Sequence, residues 1–386
     1  MSYALKALAI FVAVGLLSCS KKGTEPQGGL ESNVPMAFAP SVEWAQFANT
    51  RSKSSPSTPN SLINSPTDLQ GYSISILANA TRANSSGEGT PTYTTYPVFK
   101  NHRLDWDGSA WTYSPTKYWI PGAEYSFVAF APFAPTENSN SVVEGKKTLS
   151  NGTFTMGDSN ATDDIDDSDA NPVLTISNYC TGRVTTGDNQ FDARSEDLLK
   201  AVVYRVKDDY SPVELKFQHL LACVNFNIRN ATSRNIIKID NIALCGIDYR
   251  SNIKISPVYD VPIEVLRDTT STNYFISNER TGSPFLPKGM AIDNFVALYD
   301  CTNLTVLPQT LYGKNAAIKF TVHYELANGQ TETDDDMANY KLPLGNIEAI
   351  RSWDPGKKYN YNMTITSQDI IFQVVEVPWI EHEVEL

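Results

Sequence analysis

The chain has 386 residues, 41% of them hydrophobic and 11% aromatic, enough for about two compact cores at roughly 100 to 200 residues per domain. Its formal net charge of −12 excludes the basic surface on which nucleic-acid binding depends. No stretch beyond the N-terminus approaches the roughly 20 consecutive apolar residues of a membrane-spanning helix, so membrane contact is expected only there.

Lys6 precedes an apolar run, Ala7 to Leu17, which is too short to cross a bilayer and suits the core of a secretory signal peptide. The run ends in Leu16-Leu17-Ser18-Cys19, which resembles a bacterial lipobox. Residues 1–18 are therefore expected to be removed and the Cys19 thiol to carry diacylglycerol; an ordinary signal peptide that happens to hold a cysteine is the plain alternative. Residues 19–33, past Cys19, are Ser, Lys, Gly, Thr, Glu, Pro, Gln and Asn with Leu30 the one aliphatic residue, as in a flexible tether. Cys180, Cys223, Cys245 and Cys301 form no CxxC pair; export permits disulfides among them, and buried free thiols are the alternative.

The body alternates with period two and shows no helical stripe of three turns, which predicts an all-β fold. His102 to Ser114 places Asp107-Gly108 between two aromatic-bearing arms, a hairpin signal. Tyr125 to Phe130 is apolar on both faces and should be a central strand. Lys207 to Pro212 is the candidate linker between two bodies, 34–208 and 209–386. Leu215 to Ile228 alternates beyond it. Lys319 to Thr333 holds the hairpin dipeptide Asn328-Gly329, and Tyr359 to Val377 reads as a last strand pair. The polar insertions Thr136 to Asp169 and Asp268 to Gly289 read as surface loops.

The residues carry no complete catalytic motif, so no catalytic residue, cofactor or metal is assigned. His382-Glu383 begins a zincin-like pattern that lacks its second histidine, and the acidic tract Asp163 to Asp169 lacks the glycine and terminal glutamate of a calcium loop. Trp106, Trp111 and Trp119 are clustered; core packing and a sugar-stacking platform are the two readings, the first being the commoner use of such rings.

Several segments together resemble the fimbrillin family, the lipoprotein subunits of type V pili. They are Trp111-Thr112-Tyr113, Lys117-Tyr118-Trp119, Tyr125-Ser126-Phe127 with Ala129-Phe130-Ala131-Pro132, Asp197-Leu198-Leu199-Lys200-Ala201, Leu215-Lys216-Phe217-Gln218-His219-Leu220-Leu221, Pro355 to Tyr361, and Pro378-Trp379. The resemblance implies two tandem transthyretin-like β-sandwiches and a structural subunit or accessory adhesin with no active site. It implies an outer-membrane lipoprotein shown at the cell surface, whose partners are other fimbrial subunits and a host or bacterial surface ligand. It also implies assembly by strand exchange, in which a neighbour's strand completes an unfinished sheet.

Within that picture Pro35 to Phe47, with Met36, Phe38, Val42 and Trp44 on one face, is the segment that fills the gap before assembly. An Arg-specific protease would release it by cutting after Arg51, with Arg82 as a rival site. Ile380, Val384 and Leu386 alternate with glutamates and form the candidate donor strand; an edge strand of the chain's own second body is the other reading. A carbohydrate-binding lipoprotein that never polymerises is the rival function, and a glycosidase ranks third.

Overall fold

A computed structural model describes residues 32–42, 63, 65–84, 92–135, 146–150, 152–157, 173–181, 183–186, 190–193, 196–205, 208–255, 264–267, 273–277, 286–297, 304–325, 337–348, 350–367 and 370–378. The fold is all-β, as the period-two alternation predicts. In chain order come β1 (Phe38–Val42), a one-turn helix α1 (Pro66–Leu69), β2 (Ile74–Ala83), β3 (Tyr93–Trp106), β4 (Trp111–Thr112), β5 (Ala123–Ala131), β6 (Thr153–Gly157) and β7 (Val173–Cys180). Then follow β8 (Arg183–Thr186), β9 (Gln190–Ala193), β10 (Leu199–Arg205), β11 (Val213–His219), β12 (Ala222–Asn230), β13 (Ile236–Cys245), β14 (Arg250–Ile255), β15 (Glu264–Arg267) and β16 (Asn273–Ser277). The last are β17 (Val296–Ala297), β18 (Leu304–Val306), β19 (Gln309–Thr310), β20 (Ala317–Tyr324), β21 (Met337–Pro343), β22 (Ser352–Trp353), β23 (Lys357–Ile365) and β24 (Ile370–Pro378).

A seven-stranded sheet runs β1-β11-β10-β5-β2-β3-β4. The connection 206–212, where the sequence suggests a boundary, joins β10 to its neighbour β11 in this sheet. The alternation of β11 explains its place: Val213, Leu215, Phe217 and His219 point inward while Glu214 and Lys216 stay wet. β5 lies between β10 and β2, and both its faces are used. Tyr125, Phe127 and Ala129 enter the core of the seven-stranded sheet, while Val128 and Phe130 enter another on its far side. The hairpin at Asp107-Gly108 is present: Asp107 Oδ1 accepts from Ser109 N and Ala110 N, both at 2.8 Å, and Gly108 takes a φ of 105°.

The later strands form two facing sheets, β17-β12-β23-β24 with β18 also on β12, and β16-β13-β20-β21. Val224, Phe226 and Ile228 of β12 and Tyr359, Tyr361 and Met363 of β23 pack there against Ile318, Phe320 and Val322 of β20. β20 and β21 form the antiparallel pair on either side of Asn328-Gly329, a dipeptide that itself lies outside the described residues. A further sheet, β15-β14-β7-β6, mixes strands from both halves of the chain and closes the third core, which includes Leu174, Ile176, Tyr179, Ile253 and Ile255. Two expectations are corrected. The insertions 136–169 and 268–289 are not loops throughout, since they contain β6 and β16. Their apolar residues are few, but a short strand needs only a partner's backbone to close its hydrogen bonds.

Gly246 follows β13 with a φ of 66°, and a Cβ there would overlap the Asn315 carbonyl. Both the left-handed backbone and the contact demand glycine. Gly246→Ala should cost about 2–4 kcal/mol, the sum of backbone strain and overpacking, read as a lower urea midpoint at unchanged slope.

Candidate functional site

The N-terminal segment runs from the connection between β4 and β5 to the edge of β11. Ser32 N–H donates to Trp119 O at 2.6 Å, Met36 N–H donates to Lys117 O at 2.9 Å, and Trp119 N–H returns a bond to Val34 O at 3.2 Å. The chain then changes partners. Val213 N–H donates to Ala37 O at 2.8 Å, and β1 runs beside β11 in register from Phe38↔Val213 to Val42↔Phe217. This pairing is parallel, the slightly weaker of the two ladder types per residue.

Side chains follow the ladder. Met36, Phe38 and Val42 are buried, Ala39 is exposed, and Pro40 sits half-buried at an inward position. An edge strand tolerates Pro40 because only one side of it must be paired. The Phe38 ring meets Phe99 and Tyr113 edge to face at 5.5 Å each, and Phe127 at 5.9 Å. Tyr113 Oη also donates to Met36 O at 3.0 Å. Burial of these three large side chains stabilises the seat by about 5–9 kcal/mol, an upper bound because the unfolded chain already hides part of such surface.

Downstream, the chain is tied again. Ile63 N–H donates to Asp197 Oδ2 at 3.1 Å, deep in the protein, and Asp197 also meets His219 Nδ1 at 3.0 Å. Ser65 caps α1 by accepting from Asp68 N–H at 3.0 Å, and Leu69 is buried. Arg51 falls between these two tied points, outside the described residues, as do Cys19, Ile380, Val384 and Leu386. Among the described residues no helix is long and apolar enough to cross a membrane.

A model of the fimbrillin-like family matches residues 70–379. The chain belongs to that family. A fimbrial protein from Bacteroides vulgatus shares the fold at a TM-score of 0.54 and 16% identity, over 90% of this chain and 100% of that one. Candidate cell adhesion proteins from Bacteroides uniformis and Bacteroides ovatus align at a TM-score of 0.40 each. They are 13% and 14% identical, over 89% and 90% of this chain and 99% of each of theirs. No curated protein matches by sequence. Membership of this family supports a fimbrial subunit or adhesin at the cell surface.

In this fimbrillin-like chain Arg82 is placed in β2, opposite Thr94 of β3 on one side and Ala123 of β5 on the other. A protease binds its substrate as an extended strand, so reaching Arg82 would first require pulling β2 out of the sheet. Trp119 is fully buried against Tyr125 and Phe127, which assigns it to the core, while Trp106 and Trp111 form a partly exposed edge-to-face pair at 5.8 Å. The Asp197–His219 pair joins two segments that the sequence offers separately. His219 occupies an inward position of β11 only because the run Leu215 to Ile228 breaks into β11 and β12.

Cys180, Cys223 and Cys245 form no disulfide among the described residues. Burial pushes the Cys223 thiol up to about 12, so almost none of it is thiolate at neutral pH. Iodoacetamide should leave Cys223 unlabelled in the native protein and modify it fully in urea, which peptide mass mapping reads directly.

Proposed function

We propose that this protein is a fimbrial subunit exported as a lipoprotein through Cys19, in which β1 holds the place of a strand that another subunit supplies. Cleavage after Arg51 frees the lipid and the leader strand together, and Ile380 to Leu386 of a second subunit enters the vacated seat beside β11. The observation that carries this reading is the seat itself, an edge position filled in parallel by a terminal segment with three buried side chains. Arg51 is preferred to Arg82 because Arg82 lies in a strand paired on both sides, while Arg51 falls in the chain between the anchored Val42 and Ile63. The Asp197 carboxylate holds Ile63, so that loss of the leader stops short of α1.

The chain is then two tandem transthyretin-like sandwiches. Their division follows β11 rather than preceding it, because Val213, Leu215 and Phe217 fill the first core and Val224, Phe226 and Ile228 the last. A contact that passes head to tail and never closes on itself makes a filament.

The test is limited trypsin digestion, N-terminal sequencing, and then gel electrophoresis and electron microscopy. The expected result is a new N-terminus at Ser52 with a ladder of oligomers, abolished when residues 380–386 are deleted. Clean release of the leader from a protein that stays monomeric rejects strand exchange.

A further inference from the structure

We infer that β24 is a docking edge for a second copy of this chain, paired antiparallel about Gln373. Among the described residues β24 pairs with β23 alone, at one side of the sheet β17-β12-β23-β24. Ile371 to Glu376 form no hydrogen bond to any other described element, so the outer row of their backbone groups can accept a further strand. The edge also lacks the usual guards against such pairing. Its register with β23 runs unbroken from Lys357↔Pro378 to Ile365↔Ile370, its proline stands only at the end, and its one charged residue, Glu376, is met by Lys357 Nζ at 3.4 Å.

The outward side chains name what fits beside it. Ile370 and Val374 face the core, so Ile371, Gln373 and Val375 face outward, with Ile371 61% and Val375 40% exposed. The two apolar residues flank Gln373 symmetrically. A copy paired Gln373 to Gln373 therefore sets Ile371 of each chain on Val375 of the other, and two apolar contacts form from surface that water otherwise covers. The axis also falls on a row of amides. Asn227 Nδ2 donates to Asn362 Oδ1 at 2.9 Å, and Asn362 lies opposite Gln373. The Gln373 amide makes no hydrogen bond among the described residues, so two such amides at the axis can satisfy each other and carry the row into the second chain.

The symmetry of the patch selects a second copy, and its charge permits one. A net charge of −12 opposes most contacts between copies, whereas the three outward residues are neutral and Glu376 already has its lysine. A patch that matches itself about a two-fold axis closes as a dimer and goes no further. The contact forms with the leader strand in place and uses neither β1 nor residues 380–386, so its test is independent of strand exchange.

Sedimentation velocity of the uncut chain should show a dimer that grows with concentration up to about 100 µM. Ile371→Lys should weaken it at least about tenfold, because the two-fold axis counts each substitution twice. Adding Val375→Glu to that variant should restore the dimer, since opposite charges then meet across the axis. Gln373→Cys under mild oxidation should link the two chains through position 373, because antiparallel partners hold their Cα atoms about 4.5–5.5 Å apart and a disulfide spans about 4.4–6.8 Å. Peptide mass mapping identifies the link. All three positions are exposed, so the variants should unfold at the wild-type urea midpoint. A chain that stays monomeric, a dimer indifferent to Ile371→Lys, a double variant that does not recover, or a dimer that forms no link at position 373 each overturns the assignment.

Discussion

Asp197→Ala should lower the unfolding free energy by about 2–6 kcal/mol, because two buried donors lose the acceptor they share. The Asp197 side chain has 0% exposure and that of His219 2%. One carboxylate serves two donors there, the imidazole at 3.0 Å and the Ile63 N–H at 3.1 Å. With alanine both groups stay buried without their acceptor, and each unsatisfied group costs about 1–3 kcal/mol. Asp197→Asn keeps one acceptor oxygen and should cost about half as much. Urea denaturation checks both variants, since a shifted midpoint at constant slope reads stability alone. A loss under about 1 kcal/mol for the alanine variant would mean that water replaces the carboxylate, and that the junction is not a dry anchor.

The pair also shows where sequence reasoning stops. The alternation of Leu215 to Ile228 was readable only as one run; the structure breaks it into β11 and β12, and only with that break does His219 take an inward position. Alternation could not name the partner either, because Asp197 sits 22 residues away and faces His219 only once β10 and β11 pair. The same limit explains β14 and β7. Their antiparallel register, Arg250↔Cys180 to Ile255↔Leu174, joins distant segments, and period-two patterning sets faces rather than partners.

Local signals fared better. The Asp107-Gly108 turn needs only its own neighbours, and β5 announced its central place by being apolar on both faces. The register shifts between β2 and β3 were invisible for a different reason: they are features of backbone pairing that leave no mark in composition. The leader strand was legible as a strand with one apolar face; its parallel course beside β11 was not.

That parallel course leads to the prediction with the sharpest register. A chain beginning at Ser52 loses the burial of Met36, Phe38 and Val42. This is about 5–9 kcal/mol at most, against a total stability of about 5–15 kcal/mol for a typical domain. Its melting temperature should fall by more than about 10 °C, and a synthetic peptide of residues 32–47 should restore it in trans. A truncated chain as stable as the whole would show that β1 completes nothing.

The C-terminal segment should substitute for that peptide, in one direction only. Inward positions of the leader are Met36, Phe38, Pro40 and Val42; those of the donor are Ile380, His382, Val384 and Leu386. Laid antiparallel to the leader, Leu386 takes the place of Met36, Val384 that of Phe38, and Ile380 that of Val42. His382 then falls on the half-buried Pro40 position. Laid parallel, His382 would enter the aromatic pocket of Phe38, where burying an imidazole without a partner is costly. The antiparallel choice also gives β11 the stronger ladder. A peptide of residues 379–386 should therefore rescue the truncated chain, tolerate His382→Lys, and fail with Val384→Lys. The reverse pattern of tolerance would establish the parallel register instead.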